Sequence, residues 1–146
     1  MKQSGPDVAK VCGVELKGNE AIVCLLSKSG GLFDIADCRV RRLTLKENNP
    51  DSLKAFQFAF AKLMEDYQVE KVVIRERLMK GKFAGSAVGF KLEAAIQLID
   101  GVDVDILSPA MIKEALKNKP LTVKFAETGL KNFQEGAFMT AYASLA

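Results

Sequence analysis

Three glutamates stand where residue type and spacing could do chemistry: Glu15, Glu76 and Glu135. Glu15 interrupts the apolar run Val11–Leu16. Glu76 follows Val72, Val73, Ile74 and Arg75, and Glu135 precedes Gly136 and Ala137 at the start of an apolar helical stretch. Carboxylates gathered by a fold offer the hard oxygen ligands that Mg²⁺ or Mn²⁺ takes. Two such ions about 3.5–4 Å apart can hydrolyse a phosphodiester, one activating water and the other stabilising the leaving oxygen. That chemistry needs no histidine, and the chain has none. The lack of histidine excludes Ser-His-Asp and Cys-His catalysis and the zinc patterns that require it. The competing reading is plainer. Glu15 and Glu76 are then strand-end charges, and Glu135 is an acid suited to a helix N-terminus.

The elements that must position these acids can be read from pattern. Val11–Leu16 is an apolar run with β-branched residues, and Gly18 and Asn19 suit a two-residue hairpin turn. Ala21–Leu26 is the return strand, residues 27–31 form a Gly/Ser turn, and a third strand is predicted over Cys38–Leu45. Asp51 or Ser52 caps a helix whose apolar face is Leu53, Phe56, Phe60, Leu63 and Tyr67. A β-branched strand covers Val69–Glu76. Ser86 caps a second helix, running to about Ile99, that turns Val88, Leu92, Ala95, Ile96 and Ile99 to the core. Val102–Leu107 is a strand, and Pro109 suits the first turn of a short helix to about Asn118. Residues 121–129 carry no clear pattern. A last helix is predicted from about Asn132, apolar at Phe138, Met139, Tyr142 and Leu145. Hairpin-length turns imply an antiparallel meander, and the later alternation of strand and helix implies parallel strands with right-handed crossovers. The expected fold is a mixed five-stranded α/β sheet with helices on both faces, in ribonuclease H-like order. In it the first and fourth strands are neighbours, and the last helix packs beside them.

The totals agree with a single domain. The chain has 146 residues, 49% hydrophobic and 27% charged, which suits a globular core and argues against disorder. Residues 1–7 read as a tail and 8–146 as the domain. No apolar stretch is long enough for a membrane span, and the first residues lack the apolar segment of a secretory signal. Three cysteines, Cys12, Cys24 and Cys38, in or beside apolar runs fit reduced thiols of a cytoplasmic protein. A formal charge of +3 permits a polyanionic partner without requiring one.

Basic residues cluster after the fourth strand: Arg75, Arg77, Lys80 and Lys82, with the aromatic Phe83. Such a loop can hold a phosphate backbone, and Phe83 can stack on a base or wedge into a junction. The alternative is a solvated loop. Arg39, Arg41 and Arg42 are read as charges that protect a sheet edge from aggregation. Phe58 falls off the apolar stripe of its helix and is expected at the surface.

From Val11 onward the chain resembles the RuvC-type Holliday-junction resolvases of the ribonuclease H-like superfamily. Glu15 matches their first-strand acid, Glu76 their fourth-strand glutamate, and Glu135 the second of two acids three residues apart in the last helix. Lys113 and Lys124 resemble resolvase lysines that face the scissile strand. The resemblance implies a Mg²⁺- or Mn²⁺-dependent endonuclease acting on structured nucleic acid, with Glu15, Glu76 and Glu135 as metal ligands and Lys113 among the catalytic residues. Arg75, Arg77, Lys80, Lys82, Phe83 and Lys124 would then hold nucleic acid, and a homodimer would match the two cleavage points of a four-way junction. The sequence departs from the pattern in having Glu for Asp at position 15, Asn132 at the first helix acid and Glu135 at the second. These departures favour an alternative, a catalytically inactive relative that binds nucleic acid or protein. Nearly the whole chain also resembles, more closely, a family of small bacterial proteins of unassigned function.

Overall fold

The computed structural model describes residues 8–77 and 86–146. The elements in chain order are β1 (Val8–Lys17), β2 (Glu20–Ser29), β3 (Leu32–Ile35), β4 (Arg42–Thr44), α1 (Pro50–Asp66), β5 (Lys71–Arg75), α2 (Ala87–Gln97), β6 (Asp103–Leu107), α3 (Pro109–Asn118) and α4 (Glu135–Leu145). Single 3₁₀ turns cover Phe125–Thr128 and Asn132–Gln134. The sheet runs β3-β2-β1-β5-β6, with β4 also paired to β2. The meander is antiparallel, and β5 and β6 run parallel to β1. This is the mixed α/β, ribonuclease H-like arrangement expected from the element order.

The third strand departs from expectation. Instead of one strand over Cys38–Leu45, two short strands share β2: β3 pairs Ile35 with Leu26, and β4 pairs Arg42 with Ile22. The cause lies in the preceding turn. Gly30 and Gly31 both have positive φ (58° and 85°), which makes a two-residue hairpin and starts β3 at once. β2 is ten residues long and accommodates both partners. The first helix is capped by Asn49, whose side chain accepts from the Ser52 N–H at 2.8 Å, rather than by Asp51 or Ser52. The last helix begins at Glu135, preceded by the 3₁₀ turn at Asn132.

Strand alternation sends β1 side chains into two cores. Cys12, Val14 and Leu16 pack with Val72, Ile74 and the buried faces of α1 and α2, including Phe60, Leu63, Leu92 and Ile96. Val11 packs with Ile22, Cys24, Val73 and, from α4, Ala137, Phe138, Ala141 and Tyr142. Fully burying one such side chain contributes about 1.5–3 kcal/mol. Gly13 sits where α4 crosses β1. A Cβ there would overlap the Ala137 carbonyl oxygen and lie 2.8 Å from the Ala141 Cβ, so the helix approaches the sheet this closely only over glycine.

Candidate functional site

Glu15 is two residues from the carboxyl end of β1, and its alternation puts it on the α4 face with Val11 and Gly13. Its side chain is 19% exposed. The carboxylate lies against Gly136, where a Cβ would collide with it. Glu135, exposed, is the neighbouring residue and the first of α4. The first-strand acid and the last-helix acid therefore belong to one corner of the molecule. Lys17 approaches Glu15 at 3.9 Å.

Gln134 fixes that corner. It is 4% exposed, and its side-chain amide donates to the Val23 carbonyl at 3.0 Å while its oxygen accepts from the Lys131 N–H at 3.0 Å. One buried side chain thus ties the 3₁₀ turn, and so the start of α4, to β2. Phe133 in the same turn lies under the Arg42 guanidinium, 4.3 Å from ring centroid to Cζ. Sequence reading did not single out Gln134, Gly136 or the Arg42–Phe133 pair. The visible signals were Gln134 three residues after Lys131, a spacing that can close a turn, and a glycine inside a helical pattern.

Glu76 goes elsewhere. It stands just past β5, its backbone N–H bonded to the Leu107 carbonyl at 2.8 Å. Val72 and Ile74 face the α1–α2 core, and the same alternation carries Glu76 to that side. It is near enough to Glu93 on α2 to help raise that carboxyl above the usual range, after burial as the main cause and against the pull of Arg77. The residue that shares Glu15's face on β5 is Arg75, whose partner on β6, Leu107, packs toward the α4 core. Arg77 turns toward α2: its guanidinium lies over the Phe90 ring at 5.9 Å and against Gly89, and its Nε is buried without a hydrogen bond.

Lys113 is exposed on α3, which begins just beyond the carboxyl end of β6. Lys124 is exposed at the start of the turn whose Phe125 packs on Phe138, 5.8 Å between ring centroids. Neither lysine forms a salt bridge among the described residues. Lys80, Lys82 and Phe83 lie outside the described residues. Phe58 is 72% exposed, as its place off the apolar stripe predicts.

The donor set at the Glu15 corner does not fit a two-ion site. Glu15 and Glu135 belong to it, Glu76 stands one residue past the end of β5, and Arg75 shares the row. Residues 78–85 contain no carboxylate to complete the set. Among the described residues no group of three or more Cys, Asp or Glu side chains is arranged to hold a metal ion. Also among them, no helix is long and apolar enough to cross a membrane.

The sheet order and helix placement define a ribonuclease H-like fold, and solved structures bear this out. The chain is similar to RuvC of Thermus thermophilus, with a TM-score of 0.68 at 14% identity over 94% of this chain and 92% of that one. It is similar to T. thermophilus RuvC in complex with a Holliday junction substrate, with a TM-score of 0.70 at 14% identity over 92% of each chain. The sequence pattern of the family described as Protein of unknown function (DUF3010) matches residues 9–144, and the chain belongs to that family. No curated protein matches it.

Proposed function

We propose that this protein is a nucleic-acid-binding member of the ribonuclease H-like superfamily that engages structured DNA or RNA at the carboxyl ends of β1 and β5 without hydrolysing it. What supports the reading is where the acids stand: Glu15 is seated against α4, while Glu76, just past β5, is felt by Glu93 on α2. Two-ion phosphodiester hydrolysis needs its carboxylates on one cluster of metal ions. Binding needs only cations at a surface, and phosphate contacts position nucleic acid without reading its sequence. In open α/β sheets ligands sit outside the carboxyl ends of the strands. Arg75 ends β5, Lys113 is exposed on α3 just beyond β6, and Lys124 is exposed ahead of the turn that precedes α4, while Lys80, Lys82 and Phe83 follow Arg77 in the sequence.

A second reading is a Mg²⁺- or Mn²⁺-dependent endonuclease, and the seating of Glu15 beside Glu135 favours it. Bound metal would supply an activated water and neutralise the leaving oxygen. The chain's own part would be to hold the ion with Glu15 and Glu135, and to present phosphate with Lys113.

The test incubates purified protein with labelled four-way junction, duplex DNA and RNA–DNA hybrid, in Mn²⁺ and in EDTA, beside Glu76→Gln. The expected result is a mobility shift that survives chelator, with no cleavage in either condition. Two protomers per junction are expected, because the two-fold symmetry of a four-way junction gives two equivalent strand positions. Mn²⁺-dependent cleavage would establish the endonuclease instead, and its loss in Glu76→Gln would bring Glu76 into the metal site. Absence of any shift removes nucleic acid as the ligand.

A further inference from the structure

At the level of Glu15 one row of side chains crosses the α4 face of the sheet. It runs from Arg42 on β4 through Ile22 on β2 to Glu15 on β1, in direct register. The next position after the Val14–Ile74 pair adds Arg75 on β5. Arg42 and Arg75 are thus three strand spacings apart, about 14 Å between backbones, with one half-buried carboxylate between them.

The two arginines are held differently. The Arg42 guanidinium lies over Phe133 and reaches Glu20 only at 3.5 Å. Stacking occupies its face and leaves its in-plane donors for another acceptor. Arg75 is half-buried, yet its side chain makes no hydrogen bond or ion pair among the described residues. None of its side-chain nitrogens is buried, so its guanidinium donors face water and can turn to an incoming anion. Glu15 partly balances the row, and Lys17 at 3.9 Å partly offsets Glu15. In a two-ion nuclease this position is filled by divalent cations. Here the positive charge is already built into the side chains.

We propose that Arg42 and Arg75, flanking Glu15, form a clamp for the backbone phosphates of one nucleic-acid strand that works without a divalent ion. Arginine suits the task because its planar fork donates two parallel hydrogen bonds to one phosphate. Phe133 is then a positioning residue that orients the Arg42 guanidinium, and Glu15 supplies the negative charge between the two arginines. This inference rests on the nucleic-acid-binding reading above, and names the side chains and the chemical group of that same site.

The deciding experiment is fluorescence anisotropy with a labelled four-way junction and a labelled single strand, in EDTA, over a range of KCl concentrations. The proteins are wild type, Arg42→Ala, Arg75→Ala, Arg75→Lys and Arg41→Ala, the last an exposed arginine outside the row. We expect Arg42→Ala and Arg75→Ala each to weaken binding about tenfold or more, and each to lower the salt slope by about 1. Arg75→Lys should keep the wild-type slope but recover only part of the affinity, since a point charge replaces a fork. Arg41→Ala should leave the affinity within about twofold. Should Arg75→Ala lose its folded circular dichroism spectrum, Arg42→Ala, on a short and exposed strand, carries the test alone. Wild-type binding with unchanged slopes in Arg42→Ala and Arg75→Ala overturns the clamp and leaves the nucleic-acid reading standing. Binding that vanishes in EDTA and returns with Mn²⁺ overturns the clamp in favour of a metal site. No binding by the wild type overturns both.

Discussion

On the α1–α2 face, β1 presents Cys12, Val14 and Leu16, all buried, from one end of its core to the other. On the α4 face the same strand presents Val11, Gly13, Glu15 and Lys17, and its burial ends midway. The difference comes from the covering helices. The 17-residue α1, together with α2, roofs one face, whereas the 11-residue α4 begins at Glu135 and leaves the carboxyl end of the other open. An apolar row could not stay in water there, and a charged row could not survive under α1. The uncovered half of one face is therefore where ligand chemistry can reside, and the position of the first residue of α4 sets its border.

The strongest way to break this contrast is to lift α4 off the sheet. Gly13→Ala places a Cβ into the Ala137 carbonyl, a backbone atom that cannot rotate away. The expected loss is about 3 kcal/mol or more, read as a lower urea midpoint with m unchanged. A midpoint equal to wild type would mean that α4 does not approach the strand this closely.

The border itself gives a sharper test. Gly136→Ala in an ordinary helix should stabilise by about 1 kcal/mol. Here the added methyl meets the Glu15 carboxylate, the far end of a side chain that can swing aside, so most of that gain is expected to be cancelled. In a Glu15→Ala background the same change should recover its helical gain. A double-mutant cycle in urea measures the coupling, expected within 0.5–3 kcal/mol. Additivity within error would remove Glu15 from the helix.

The smallest effect concerns the closed face. Glu93 is raised above the usual carboxyl range by burial, so the folded state holds its proton more tightly than the unfolded chain does. Its ionisation costs stability once pH rises through the folded pKa, and costs nothing below the unfolded value. Glu93→Gln should therefore raise Tm slightly at pH 7, with the gain disappearing in acid near pH 3. An equal gain at both pH values would show that the effect is not proton-linked.

The sequence made the scaffold legible because the scaffold is written in period. The 3.6-residue repeat of Phe56, Phe60 and Leu63 and the β-branched run Val72–Ile74 predicted α1 and β5 within two residues or so at either end. β3 was not visible, since four residues with an aspartate among them carry too little alternation to outweigh the glycines before them. At the site, the strand position of Glu15 and the start of α4 were legible, and the relation between Arg75 and Glu76 was not. Adjacent strand residues point to opposite faces. Choosing which of the two joins Glu15 requires the β1–β5 register, a pairing between residues far apart in the chain. Gln134 was hidden for a similar reason, its partner Val23 lying on a distant strand.

The two neighbours of β1 also differ in how they are reached. β2 arrives through the two-residue turn at Gly18, while β5 pairs Val14 with Ile74 only after β3, β4 and α1 have intervened. Closing the shorter loop costs less chain entropy, so the hairpin can form early and wait. The corner holding Glu15 and Arg75 is complete only after the long-range pairing and the docking of α4, and pairings between residues so far apart in the chain are the kind that slow folding. During synthesis from the N-terminus, every residue needed for that corner has been made only once α4 has left the ribosome, so the growing chain carries no finished corner before then.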